Sequence, residues 1–197
     1  MMPNFTTIGH STRDIAEFLA ILAAAQVSLL IDVRSFPSSR AYPAYNRLPL
    51  AQSLEAVQIA YRHCSALGGR RGRQPHIDPQ RNGLWRLPSF HNYADYALGP
   101  EFAAALGEIE AIGAHQRLTL MCAEAVWWRC HRRIITDYLL AHGHAVVHLL
   151  GLGQSQIGEL TPGAQIVGDN VVYPATNADD HPKPGHTIEL PPGHRQR

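Results

Sequence analysis

The stretch that decides the fold runs from Asn4 to Val33 and reads NFTTIGHSTRDIAEFLAILAAAQVSLLIDV. Its beginning predicts a short buried strand that ends at Gly9. Residues 15–22 carry apolar side chains at positions i, i+3, i+4 and i+7, which is one face of a helix, and Ser11 is predicted to cap that helix. Residues 27–33 are a continuous apolar run, typical of a strand buried on both faces of a parallel sheet. The stretch therefore predicts a strand–helix–strand unit.

The same alternation continues along the chain. Further strands are predicted at 59–63, 117–121 and 145–150, and further helices at about 50–57, 89–98, 100–112 and 130–142. Apolar pairs at 166–167 and 171–172 flank a Gly-Asp-Asn turn and predict a small C-terminal hairpin. We therefore expect an α/β fold with an open, mostly parallel sheet and helices on both faces. It is expected to form one domain over residues 1–176, followed by a flexible polar tail at 177–197.

Composition argues against several classes of protein. Charged residues make up 17% of the chain and the net charge is +1, which argues against a broad polyelectrolyte binder but allows a local basic pocket. Residues 1–8 lack the pattern of a secretion signal, and no apolar run approaches the ~20 residues that span a bilayer. We expect a cytoplasmic protein with no membrane partner, whose three cysteines are thiols rather than a disulfide framework.

Polar side chains gather where the predicted strands end. These are His10 and Ser11 after the first strand, Asp32, Arg34 and Ser35 after the second, and Cys122 and Glu124 after the strand at 117–121. Ligands of open α/β sheets bind outside the carboxyl ends of the strands. We therefore expect these side chains to form one site.

Residues 121–133, MCAEAVWWRCHRR, carry the most reactive side chains. Cys130 is predicted at a helix start beside Arg129, His131 and Arg132, where the helix dipole and the positive charges lower a thiol pKa and favour anions. A cysteine nucleophile with His131 as its base, a zinc site and a pair of structural thiols all remain open. The spacing lacks the C-x-x-C form and shows no fourth ligand, so neither a metal site nor another cofactor is predicted.

Arginines and aromatic side chains are interleaved around the same predicted edge. The arginines are Arg34, Arg40, Arg70, Arg71, Arg73, Arg129 and Arg132. Guanidinium groups bind phosphate or carboxylate through paired hydrogen bonds. Neighbouring Tyr42, Tyr45 and Trp85 suit stacked bases as well as a protein core. No phosphate-loop or dinucleotide-binding motif is present.

Five motifs in a fixed order resemble a known family. They are TIGHS at 7–11, DVRSFPS at 32–38, LGG at 67–69, YADY at 93–96, and CAE at 122–124 with CHR at 130–132. Over residues 5–150 the chain is similar to the family called domain of unknown function 488. That resemblance implies an α/β domain with a shared polar site, and it implies no particular reaction.

The sequence thus favours a protein that binds a small anionic ligand, phosphorylated or nucleotide-like, and an enzyme rather than a passive binder. Arg34, Arg70 and Arg132 are the predicted anion ligands, beside Ser11 and Ser35. Asp32 or Glu124 is paired with His10 or His131 for proton transfer, and Cys122 or Cys130 is the candidate nucleophile. A nucleic-acid-binding module that uses the 68–88 loop and a zinc-stabilised interaction domain remain alternatives, and no oligomeric state is predicted.

Overall fold

A six-stranded sheet forms the centre of the structure, a computed structural model that describes residues 3–175. Its strands are β1 (Phe5–Gly9), β2 (Leu29–Asp32), β3 (Ala60–His63), β4 (Leu118–Cys122), β5 (Val146–Gly151) and β6 (Gln154–Ile157), in the order β3-β2-β4-β1-β5-β6. The first five strands are parallel, and β6 runs antiparallel to β5. The predicted hairpin is formed by β7 (Gln165–Val167) and β8 (Asn170–Val172). The tail predicted at 177–197 lies outside the described residues.

Helices cover both faces of this sheet. They are α1 (Ile15–Ala24), α2 (Arg47–Glu55), α3 (Pro88–Ala97), α4 (Pro100–Gly113) and α5 (Arg132–Ala141). α1 and α2 pack on the face that carries Leu30, and α3, α4 and α5 pack on the face that carries Ile31. Successive strand residues point to opposite faces, so a strand covered on both sides must be apolar throughout. The predicted α/β architecture is confirmed. No helix within residues 3–175 has the length and apolar character that crossing a bilayer requires.

Two predicted helix starts are wrong. Ser11 does not cap α1: it has a positive φ of 49°, and the Asp14 carboxylate accepts the capping hydrogen bond from the Ala16 amide. α5 begins at Arg132 rather than at Cys130, which is in an extended conformation. A short 3₁₀ turn at Trp127–Arg129 precedes it, and the backbone groups of that turn hydrogen-bond within the turn instead of extending the helix.

The strand order leaves a crevice at the carboxyl ends of β2, β4 and β1. The chain leaves β1 toward α1 on one face of the sheet and leaves the neighbouring strand β4 toward α5 on the other face. Ligand sites of open α/β sheets form in the crevice between two such connections. The loop after β4 closes one side of the crevice by folding over the end of β1, with the His10 amide donating to the Cys122 carbonyl at 2.9 Å. Gly9 is needed there, because a Cβ atom would clash with the Glu124 carbonyl.

Candidate functional site

A cavity of about 1340 Å³ opens at these strand ends. It brings together nine of the residues that the sequence predicts for the site: His10, Ser11, Arg34, Ser35, Arg70, Cys122, Glu124, Cys130 and His131. Asp32 and Arg132 do not line it, and both are fully buried beneath it. The structure therefore separates the predicted residues into a layer that faces the cavity and a layer that supports it.

Cys122, Cys130 and His131 form a cluster at the floor of the cavity. His131 Nδ1 lies 3.5 Å from the Cys130 sulfur and 4.0 Å from the Cys122 sulfur. His131 Nε2 lies 3.0 Å from the Val33 carbonyl oxygen. A carbonyl can only accept, so Nε2 carries the hydrogen, and in the neutral ring Nδ1 is left as an acceptor facing both thiols. The 3₁₀ turn after β4 brings Cys130 back to Cys122.

Arg132 lies behind this cluster with only 1% of its surface exposed. Its Nε is 3.4 Å from the Cys130 sulfur, and its other donors reach the Thr7 hydroxyl and, at 2.5 Å, the Glu124 carbonyl. A buried guanidinium needs an opposite charge nearby. Among residues 3–175 the ionisable group that hydrogen-bonds to it is the Cys130 thiol, which the structure thus favours as a thiolate.

The thiols of Cys122 and Cys130 differ in how readily they ionise. Burial opposes ionisation of Cys130, but a hydrogen bond from Cys122, the neighbouring His131 ring and the positive charge of Arg132 outweigh it and hold the pKa of Cys130 well below its ordinary value. The hydrogen bond to Cys130, followed by burial, raises the pKa of Cys122. Of the two thiols, Cys130 is therefore the one that ionises more readily.

Arg34 is already paired inside the protein. Its Nε and Nη2 donate to the two carboxylate oxygens of Asp32 at 2.8 and 2.5 Å, and Asp32 also accepts from the Tyr61 hydroxyl at 2.9 Å. Nη2 also donates to the Tyr45 carbonyl at 2.7 Å. Only Nη1 is directed elsewhere, 3.4 Å from His10 Nε2. Arg34 thus presents one edge to the cavity while Asp32 fixes the other.

His10 is neutral at the cavity wall. Burial lowers the pKa of His10 to about 4, with the charge of Arg34 acting in the same direction and the hydrogen bond with Ser11 opposing it. Its Nδ1 lies 2.9 Å from the Ser11 carbonyl oxygen and therefore carries the hydrogen, which leaves Nε2 as the acceptor facing Arg34. The ring stacks on Tyr45 with 4.2 Å between centroids. With this pKa the ring is neutral at about pH 7, where its Nε2 is an acceptor.

The loop at 66–71 forms another wall of the cavity. The Ser35 hydroxyl accepts from the Arg70 amide at 3.0 Å, and Gly69 packs so closely on the His131 ring that a Cβ atom there would clash with it. Tyr93 and Tyr96 donate to the carbonyls of residues 67 and 66, at 2.9 and 2.7 Å. The LGG and YADY motifs are therefore spatial neighbours, and both hold this wall against the cluster.

The rim is cationic and aromatic. Arg70, Arg86 and Arg129 are exposed there, and within residues 3–175 none of them forms an ion pair. Phe36 is 69% exposed and Trp128 46% exposed at the same mouth. Glu124 is also exposed on the lining, so the rim carries one carboxylate. Arg86 was not predicted as a site residue, because it lies in a predicted loop with no motif to mark it.

Some predicted residues have structural roles instead. Arg71 donates to the carbonyls of residues 65, 66 and 68, and its guanidinium lies 3.8 Å from the centre of the Tyr96 ring. Trp127 stacks on His148 at 4.1 Å, while Trp128 turns to the cavity. The adjacent tryptophans thus divide between packing and the site.

Fold and site together define an α/β protein with a cysteine–histidine cluster at the base of a cavity rimmed by arginines. The family described as domain of unknown function DUF488 matches the chain over residues 14–139, more than half of its length. The chain belongs to this family. Neither the curated proteins nor the solved structures gave a match to the chain.

Proposed function

We propose that the protein is an enzyme that binds a phosphorylated or nucleotide-like anion in this cavity and carries out its chemistry at the Cys122–Cys130–His131 cluster. The observation that carries the proposal is the convergence of rim arginines, which form no ion pair within residues 3–175, on a buried cysteine–histidine cluster. The exposed arginines attract the ligand, and the cluster contacts it at the floor of the cavity.

The charge distribution supports an anionic ligand. Arg70, Arg86 and Arg129 lie on different segments of the chain, yet all three border one opening. The chain as a whole carries a formal charge of only +1, so this concentration of positive charge is local. A cleft lined by one sign of charge raises the local concentration of ligands of the opposite sign.

The buried cluster supports catalysis over simple binding. Titratable groups removed from water and held in a fixed arrangement are costly, and they gather at sites that perform chemistry. His131 is oriented by the Val33 carbonyl, as a catalytic or metal-binding histidine must be. A protein that only bound the anion would need the exposed rim but not the buried cluster.

A non-catalytic nucleic-acid-binding module is the second candidate, and one observation favours it. Phe36 and Trp128 stand exposed at the mouth beside arginines, and Arg70 lies 5.7 Å from the centre of the Phe36 ring. Exposed aromatic side chains beside arginine stack on unpaired bases. Tight, strongly salt-dependent binding of oligonucleotides with weak binding of mononucleotides would favour this candidate.

Calorimetric titration with ADP, pyrophosphate and adenosine tests the proposal. Arg70→Ala, Arg86→Ala and Arg129→Ala are each expected to weaken ADP binding by about 3- to 10-fold, since one charged contact at a solvated rim contributes about 1 kcal/mol. Arg47→Ala and Arg81→Ala are matched controls, because both arginines are exposed and neither lines the cavity. Equal affinity for adenosine and its phosphorylated forms, or equal losses in the controls, would overturn the proposal.

A further inference from the structure

We infer that Cys122, Cys130 and His131 bind one Zn²⁺ ion at the floor of the cavity, with a fourth coordination position open to the ligand. The two sulfurs and Nδ1 of His131 all lie within 4.8 Å of one another. The three side chains come from the end of β4 and from the two residues that precede α5. The fold therefore brings all three potential ligands to one point, and the hydrogen bond from His131 to the Val33 carbonyl orients the ring.

The separations fit a tetrahedral ion. With Zn–S of about 2.3 Å and Zn–N of about 2.0–2.1 Å, tetrahedral geometry places sulfur and nitrogen about 3.6 Å apart. The structure has 3.5 Å from His131 Nδ1 to Cys130 and 4.0 Å to Cys122. The same geometry places the two sulfurs about 3.8 Å apart, and the structure holds them within 4.8 Å of each other. An ion therefore requires shifts of no more than about 1 Å. Three protein ligands with an open fourth position are the pattern of catalytic zinc, while structural zinc has four.

The surroundings of the three ligands also suit a metal. Metal-bound histidines donate their second ring N–H to a carbonyl or carboxylate, and His131 donates its own to the Val33 carbonyl. The free Nδ1 lone pair is therefore directed toward the two sulfurs. Arg132 Nε donates to the Cys130 sulfur, which stabilises a thiolate ligand without competing for the coordination position.

The charge balance of the site indicates which kind of ligand would occupy the fourth coordination position. One Zn²⁺ with two thiolates and a neutral histidine has no net charge, and the proton of Cys122 leaves to solvent on binding. Arg132 then adds one buried positive charge that lacks a carboxylate partner within residues 3–175. The site is completed by an anionic oxygen, such as hydroxide or a phosphate oxygen of the ligand. This last step rests on the proposed function, whereas metal binding itself does not.

The ion would supply Lewis acidity and activate a bound water near neutral pH. The role of the chain is then to hold three ligands, exclude bulk water at the floor and place rim arginines around the incoming anion. Thiolate and imidazole ligands select zinc over magnesium or calcium, which prefer oxygen.

Metal analysis of the purified full chain tests this inference. We expect a stoichiometric amount of zinc in the wild-type protein, and cobalt substitution should give the charge-transfer and visible absorption of a tetrahedral thiolate site. Cys122→Ser, Cys130→Ser and His131→Gln should each lose the metal. Cys64→Ser is the matched control and should retain it, because Cys64 lies outside the ligand cluster.

A second measurement, made on the wild-type protein, tests the inference even if the cysteine and histidine variants fail to fold. In the wild-type protein, added Zn²⁺ should protect Cys122 and Cys130, but not Cys64, from alkylation mapped by mass spectrometry. Arg70→Ala and Arg129→Ala should keep the metal even though they weaken anion binding, so failure of the metal proposal can be told apart from failure of the anion proposal. A reduced wild-type protein that takes up neither zinc nor cobalt, or uptake that depends equally on Cys64, would overturn the inference.

Discussion

His131 donates a hydrogen bond to the backbone carbonyl of Val33, one residue beyond the end of β2, over a distance of 3.0 Å. This bond ties the cluster that follows β4 to the neighbouring strand. It also fixes which ring nitrogen faces the two thiols. A backbone acceptor holds the ring whatever side chain replaces Val33, so the orientation of His131 is a property of the fold.

Replacing Arg34 with alanine should destabilise the protein rather than only weaken ligand binding. The change leaves the Asp32 carboxylate fully buried without its paired guanidinium, and breaking a buried ion pair costs about 3–5 kcal/mol. The free energy of unfolding in urea measures the loss. Adding Asp32→Asn to Arg34→Ala should recover part of it, because the uncompensated charge is removed. A single Arg34→Ala variant as stable as wild type would contradict the assignment.

A methyl group at Gly69 should disturb the site while leaving the rest of the fold in place. A Cβ atom at this position would clash with the His131 ring, so the ring must move away from Val33 and the thiols. We expect Gly69→Ala to lose zinc or ADP binding with little change in the far-ultraviolet circular dichroism. Gly72→Ala is the control, because a Cβ atom there meets nothing within 4 Å. Equal behaviour of the two variants would show that the contact has no importance.

The pair of Glu110 and His142 should make stability depend on pH. Burial opposes protonation of His142, but the Asp169 carbonyl and the Glu110 carboxylate outweigh it and raise the pKa of His142 above 6.5. A raised pKa means stability that is complete below pH ~6.5 and lost as pH rises through the folded-state pKa. Glu110→Gln should therefore cost more stability at pH ~6 than at pH ~8.5.

Glu108→Gln provides the comparison for that effect. Glu108 lies on the same helix and pairs with Arg62, which does not titrate in this range. Its replacement should have a small effect, about 0–1 kcal/mol, that is equal at both pH values. A loss in Glu110→Gln that is also independent of pH would remove His142 from the explanation.

The sequence predicted the central architecture because burial on both faces leaves a pattern. Residues 29–32 are apolar at both even and odd positions up to Asp32, and that continuity is what a covered parallel strand requires. β6 was missed because Gln154–Ile157 is an edge strand with every residue exposed, so no burial pattern marks it. Patterns reveal strands that face a core and overlook strands held by backbone hydrogen bonds alone.

The site was predictable in position but not in its internal contacts. Strand ends located the cavity, yet the eight-residue step from Cys122 to Cys130 gave no sign that a 3₁₀ turn folds the second cysteine back on the first. The absence of a C-x-x-C spacing argued against a metal. Residues that are far apart in the sequence can nevertheless lie close together in the folded protein, as these two cysteines do. The Asp32–Arg34 pair could have been found, since residues i and i+2 of an extended chain point the same way.

If a phosphorylated anion binds directly above the cluster, as we propose, it should shield the Cys122 thiol from a small alkylating reagent. In chelator-treated protein, alkylation of Cys122 and Cys64 by iodoacetamide is followed by mass spectrometry with and without ADP. Cys122 lines the cavity and Cys64 does not. We expect ADP to slow alkylation of Cys122 in proportion to the occupancy of the site, adenosine to have no effect, and alkylation of Cys64 to be unchanged by either compound. Saturating ADP that leaves the alkylation rate of Cys122 unchanged would contradict it.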